Sequence, residues 1–186
     1  MEDNRPVRIR EATPADAGAI AAIGTVEFAR IHRHLLGQGA TSAVVTQTYT
    51  REAIAESIAR CSAVADAHFL VAEREDRVVG YLHYDSFGSE PELHRIYLAE
   101  REVGRGTGSQ LIDELHARIG PYTSYILMVV LDNETARRFY ARHGLVEERR
   151  IPDGTKYYRD TMGVGFPTDT APVPAAVLRR PSKPPD

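Results

Sequence analysis

The run Gly104-Arg105-Gly106-Thr107-Gly108-Ser109 sets three glycines at alternate positions, just ahead of an amphipathic helical pattern. Glycine turns without a Cβ clash, so the main chain there can bend tightly and let an anion come close. A helix that starts directly afterwards aims its unpaired N–H groups and positive dipole end at that anion. A pyrophosphate is the natural ligand, and Arg105 offers it a charged side chain. Two familiar nucleotide motifs fit less well. The P-loop needs Gly-Lys-Ser/Thr, whereas Gly108-Ser109-Gln110 has no lysine. A dinucleotide fingerprint belongs early in a βαβ unit, with an acidic residue near the end of the next strand. Here the turn follows four strand-like segments. Asp132 does close the next strand pattern, so a Rossmann-type domain stays open as an alternative.

The elements around this turn are legible from periodicity. Val7–Ala12 alternates apolar and charged residues, as in a strand with one buried face. Thr13-Pro14-Ala15-Asp16 then opens a helix through Ile20 and Ile23 to the His32-Arg33-His34 region. Gly37–Gln47 is small and polar and is expected to be a loop. Thr50 starts a second helix with Ile54 and Ile58 on one face. His68–Glu73 and Arg77–Tyr84 form a hairpin, and Glu92–Leu98 a further strand. The helix after the glycine turn carries Leu111, Ile112, Leu115 and Ile119 on one side and ends at Gly120-Pro121. Ser124–Leu131 reads as a strand buried on both faces. Asp132 or Asn133 caps a short helix bearing Ala136, Phe139 and Tyr140, and Gly144 stops it. Leu145–Arg150 and Thr155–Thr161 complete the pattern as strands joined by Pro152-Asp153-Gly154. The order implies an α/β fold with a mixed, mostly antiparallel sheet of about seven strands and about four helices.

A chain of 186 residues suits one domain with a substantial core. Residues 1–6 read as an extension and 7–166 as the domain. Residues 167–186, with six prolines and few large apolar groups, read as a disordered or loosely docked tail. A formal charge of −3 argues against a nucleic-acid-binding face. The single Cys61 forbids an internal disulfide and, with no second cysteine, argues against a metal site. His32 and His34, two apart, share no helical face and read as a solvated helix end. No signal peptide or membrane-spanning stretch is visible, which suggests a cytoplasmic protein.

Two stretches together are more specific than the glycine turn alone. Glu92-Leu93-His94-Arg95-Ile96-Tyr97-Leu98, four residues, then Val103-Gly104-Arg105-Gly106-Thr107-Gly108 resembles motif A of the GNAT superfamily of N-acetyltransferases. Asn133-Glu134-Thr135-Ala136-Arg137-Arg138-Phe139-Tyr140, followed by Gly144-Leu145, resembles its motif B. The opening Ile9–Asp16 is similar to the family's usual start, so the resemblance spans roughly residues 7–162. Val103 stands where the family usually has Arg or Gln, and Leu145 where it usually has Phe. A literal Arg-x-x-Gly-x-Gly match begins at Arg101. The later register is preferred because it places Leu111 at the first apolar position of the family's helix.

The resemblance implies acetyl-CoA as co-substrate, a primary amine as acceptor and direct attack of the amine in a ternary complex. It implies that Ile96, Tyr97 and Leu98 pair with the pantetheine arm. It also implies that Val103 through Ser109 (Gly104, Arg105, Gly106, Thr107 and Gly108 between them) hold the pyrophosphate, and that Asn133 contacts the cofactor. Tyr140 matches a tyrosine that stabilises the leaving thiolate. Glu92 matches a glutamate base. His94, two residues on, shares its strand face and has an unperturbed pKa better suited to the task. Tyr81, His83 and Tyr84 line the acceptor pocket or pack the sheet, and the loops 37–47 and 84–91 are expected to shape that pocket. A silent acyl-CoA-binding domain is the competing expectation: it would keep the glycine turn without needing Glu92, His94 or Tyr140. The resemblance also admits a homodimer.

Overall fold

The computed structural model describes residues 6–157, 164–167 and 170–182. Among these residues, seven strands form one sheet in the order β1-β2-β3-β4-β5-β7-β6. They are β1 (Arg8–Glu11), β2 (His68–Arg74), β3 (Arg77–Asp85), β4 (Glu92–Leu98), β5 (Tyr125–Val130), β6 (Val146–Ile151) and β7 (Ala175–Arg180). The helices are α1 (Ala17–Thr48), α2 (Arg51–Ser62), α3 (Thr107–Ile119) and α4 (Glu134–Arg142). Every described pairing is antiparallel except that of β4 with β5.

Strand alternation splits the sheet into two buried faces. Phe69, Val71 and Tyr81 turn to α1 and α2, where they meet Ile20, Phe28, Ile54 and Ile58. Leu70, Ala72, Leu82 and Tyr84 turn the other way, onto Leu111, Ile112 and Leu115 of α3 and Tyr140 of α4. The start of α1 is locked by Asp16. Its carboxylate accepts the Thr13 N–H at 2.7 Å and pairs with Arg10 at 2.8 Å. Thr50 caps α2 by accepting from the Ala53 N–H at 3.1 Å.

Three expectations need correction. The segment 37–47 is helix, not loop: α1 kinks at Gly37 (φ 76°, ψ 169°) and continues to Thr48. Its small residues hide a helical stripe, because Leu36, Ala40, Val44 and Thr48 recur every four residues and are all buried. Residues 155–157 form a helical turn rather than the start of a strand, and 158–161 lie outside the described residues. The last strand comes instead from the proline-rich stretch. Residues 175–180 insert as β7 between β5 and β6, with Leu127 opposite Leu178 and Val130 opposite Ala175. Proline cannot donate to a ladder, but Pro172, Pro174 and Pro181 flank this strand without entering it. Among the described residues, no helix is long and apolar enough to cross a membrane.

Candidate active site

β4 and β5 are paired at one position, Glu92 opposite Ile126. Beyond it they diverge. A cleft of about 790 Å³ opens between Ile96, Tyr97 and Leu98 on one side and Met128, Val129 and Val130 on the other. The unpaired edge of β4 therefore presents backbone N–H and C=O groups to the cleft, the surface an extended amide-bearing chain needs.

The glycine turn closes one end of this cleft. Gly104 (φ 82°) and Gly106 (φ 83°) both adopt the left-handed conformation that disfavours side chains. Gly106 is the N-cap of α3 and offers no side chain to its first N–H groups, so those groups stay open to a ligand. Gly108 meets a different demand: a Cβ there would stand 3.3 Å from the Phe139 ring and 3.5 Å from Leu98. Thr107 points away, donating its hydroxyl to Glu102 at 2.9 Å. Buried Glu102 also accepts from Arg74 Nη2 at 3.1 Å. Burial works against its charge, but Arg74 and Thr107 outweigh that and hold its carboxyl below the ordinary glutamate range. Glu102 thus ties the turn to β2 from behind, a role that periodicity and motif spacing do not reveal. Arg105 faces Glu102 at 3.9 Å. Val103 is 54% exposed, so the departure from Arg or Gln falls on a side chain turned to solvent. Ser109 bonds through Oγ to His143 Nε2 at 3.0 Å.

From the opposite wall, Asn133 Oδ1 accepts the Ala136 N–H at 3.1 Å and caps α4, while the residue also lines the cleft. Tyr140 lines it too, packed edge-on against Phe139 at 5.3 Å. Burial pushes its phenol up, so the hydroxyl holds its proton until a stronger base demands it. His32 is not solvated as expected. It is buried, stacks on Phe28 at 4.3 Å and borders the same cleft.

A second cavity of about 460 Å³ lies beyond β4, under α2 and the loop after β3. Four carboxylates line it: Glu56, Asp85, Glu90 and Glu92. His94 and Arg95 border both cavities, so the two spaces meet at β4. The local cause is a β-bulge. Tyr84 pairs with Leu93 and His83 with Arg95, leaving His94 as an extra residue in β4. Alternation alone would send His94 and Arg95 to opposite faces. The bulge lets both reach the α1–α2 side, with His94 against His83 (ring centroids 4.8 Å) and Arg95 over Tyr49 (5.2 Å).

Glu92 and His94 are brought together as expected. His94 Nδ1 lies 3.8 Å from Glu92 Oε1 and 3.3 Å from the Tyr157 hydroxyl. That hydroxyl donates to Glu92. Burial pushes the Glu92 carboxyl up, Asp85 and Glu90 add to the shift, and His94 opposes it. Two further members went unseen in the sequence. Asp85 stands one residue past the strand pattern, and Tyr157 lies in a segment read as a strand. Asp85 Oδ2 stands 3.0 Å from His94 Nε2 and 3.2 Å from His83 Nε2, off the axis of a well-formed hydrogen bond in each case. Burial disfavours its charge, but the two histidines outweigh that and keep the carboxyl low. Of the three β3 residues expected near the acceptor, His83 lines the cavity, while Tyr81 and Tyr84 pack the core. Cys61 packs beside His83 and Asp85.

Residues 65–147 match the family model described as the acetyltransferase (GNAT) domain. No curated protein matches the chain in sequence. Among solved structures, the PaiA N-acetyltransferase of Thermoplasma acidophilum, in complex with coenzyme A, superposes with a TM-score of 0.74. It is 17% identical, over 95% of this chain and 99% of its own. YncA of Salmonella typhimurium, with its cofactor acetyl-CoA, gives 0.70 at 15% identity, over 98% of this chain and 97% of its own. Ard1 of Thermoplasma volcanium gives 0.65 at 24% identity, over 94% and 96%. The match at 65–147, which takes in the glycine turn and the whole of α4, makes that stretch similar to the GNAT acetyltransferase domain, and the shared architecture gives the chain a GNAT fold.

Proposed function

We propose that the protein transfers an acetyl group from acetyl-CoA to a primary amine by direct attack in a ternary complex. The observation that carries this reading is the meeting of two cavities at one bulged strand: a cleft with a helix N-terminus at one end, and an acidic chamber. The pyrophosphate binds the N–H groups from Val103 to Ser109. The pantetheine amides pair with the open edge of β4 at Ile96, Tyr97 and Leu98. Neighbours solved with coenzyme A or acetyl-CoA support the choice of cofactor.

The amine enters the chamber as a cation, which Glu56, Asp85, Glu90 and Glu92 attract. Glu92 takes its proton, directly or through His94, and a carboxyl raised by burial is better matched to that task than an ordinary one. The freed nitrogen lone pair attacks the thioester carbonyl, the C–N bond forms, and the C–S bond breaks as the tetrahedral intermediate collapses. Tyr140 gives a proton or a hydrogen bond to the departing thiolate. Cys61 lines neither cavity, which favours direct transfer over an acetyl-cysteine intermediate.

A thiol-release assay with acetyl-CoA and a panel of polyamines, amino acids, aminoglycosides and peptide amines tests the proposal. Amine-dependent release that falls sharply in Glu92→Gln is expected. Tight binding of acetyl-CoA with no release for any amine would favour a silent acyl-CoA-binding domain. Thermal stabilisation by NAD but not by acetyl-CoA would overturn the cofactor assignment.

A further inference from the structure

Among the described residues, six buried side-chain atoms have no hydrogen-bond partner: Tyr81 Oη, both ring nitrogens of His83, His94 Nε2, and Arg95 Nε and Nη1. Three of the six are imidazole nitrogens beside Asp85. Native interiors leave few such atoms unpaired, and each asks for an explanation. A substrate does not supply one for His83. The residue is only 6% exposed and its ring nitrogens are closed to solvent, so an organic molecule does not reach them. An ion seated among the side chains does.

The donors for one are already gathered. Cys61 Sγ, at the end of α2, and single donor atoms of His83 and Asp85, two apart on β3, lie within 4.8 Å of one another. His94 Nε2 approaches the same Asp85 oxygen at 3.0 Å. A tetrahedral zinc site, with bonds of about 2.0–2.3 Å, separates its donors by about 3.3–3.8 Å. His83 Nε2 stands 3.2 Å from Asp85 Oδ2 and Cys61 Sγ lies within 4.8 Å of both partners, so side-chain movements of about 1 Å bring the three donors to that range. We propose that Cys61, His83 and Asp85 bind a zinc ion, with a water in the fourth position. A thiolate, an imidazole and a carboxylate suit zinc and discriminate against magnesium and calcium, which prefer all-oxygen shells. On binding, the thiol S–H bond breaks, sulfur keeps the electron pair for the metal, and the proton leaves to solvent.

Local sequence spacing hides this set, because its members come from position 61 on α2 and positions 83 and 85 on β3. The ion would lock α2 to the floor of the acceptor chamber. It would also steady Asp85, whose Oδ2 stands 3.0 Å from His94 Nε2, and so keep His94 with Nδ1 turned to Tyr157 and Glu92.

The full chain, stripped with chelator, is titrated with Zn²⁺ and with Co²⁺. The proposal expects one ion per chain, tetrahedral Co²⁺ d–d bands and a sulfur-to-cobalt charge-transfer band. Cys61→Ser should abolish the charge-transfer band, and Cys61→Ser and His83→Gln should each weaken zinc binding by about tenfold or more. X-ray absorption at the zinc edge of the unaltered protein, expected to show one sulfur at about 2.3 Å, keeps the test decisive where a variant fails to fold. No stoichiometric binding at micromolar zinc, a shell of nitrogen and oxygen only, or well-folded Cys61→Ser and His83→Gln variants that both bind zinc unchanged would each overturn it. These readouts involve no acetyl transfer, so their failure is separate from failure of the reaction proposed above.

Discussion

Glu92 borders the acidic chamber and Tyr140 the cofactor cleft, so their removal is expected to have separable effects. Glu92→Gln keeps the shape but cannot accept the amine proton. It should lower kcat/KM for the amine by about 10²-fold, a common worth for a general base, and leave acetyl-CoA affinity unchanged by calorimetry. Tyr140→Phe should lower kcat by a similar order and leave KM for acetyl-CoA unaltered, because the hydroxyl is needed only as the thiolate departs. At this scale the closeness of Glu92 and His94, two apart on one strand, was readable. The sequence was unreadable where chemistry depends on partners from elsewhere. The bulge at His94 is a relation of register between β3 and β4, and Tyr157 reaches Glu92 across 65 positions.

The glycine turn and β7 carry the fold's two demands on whole elements. Gly106→Val puts a β-branched residue at φ 83°, a strain of about 1–2 kcal/mol. The distorted N-terminus of α3 should then bind acetyl-CoA at least about tenfold more weakly by calorimetry. Deleting residues 172–186 removes a strand paired on both sides. Set against a typical domain stability of about 5–15 kcal/mol, that loss should leave the chain unfolded by circular dichroism. A dispensable tail would instead leave the spectrum and activity intact. β1 to β5 and α2 to α4 were legible because each has its own apolar period or cap, and β6 because Gly144 and the Pro152-Asp153-Gly154 turn bracket it. β7 was not: Ala175-Ala176-Val177-Leu178 is four residues among prolines, and its burial comes from β5 and β6 rather than from its own pattern. The second half of α1 hid for a related reason, with alanine and threonine on the buried stripe that leucine would have announced.

For the molecule as a whole, pH should act through histidines buried in neutral form. Burial lowers His32 and His116 to about 4. Between about 4 and 6.5 the unfolded chain therefore binds more protons at these sites than the folded one, so their contribution to stability rises with pH across that window. The melting temperature should fall on acidification through it, and His32→Gln should flatten the slope. The central claim is that two cavities meeting at β4 hold both substrates at once. Initial rates measured over a matrix of acetyl-CoA and amine concentrations test it most directly. Lines that intersect in the double-reciprocal plot are the predicted result; parallel lines, which signal an acetylated protein intermediate, would contradict it.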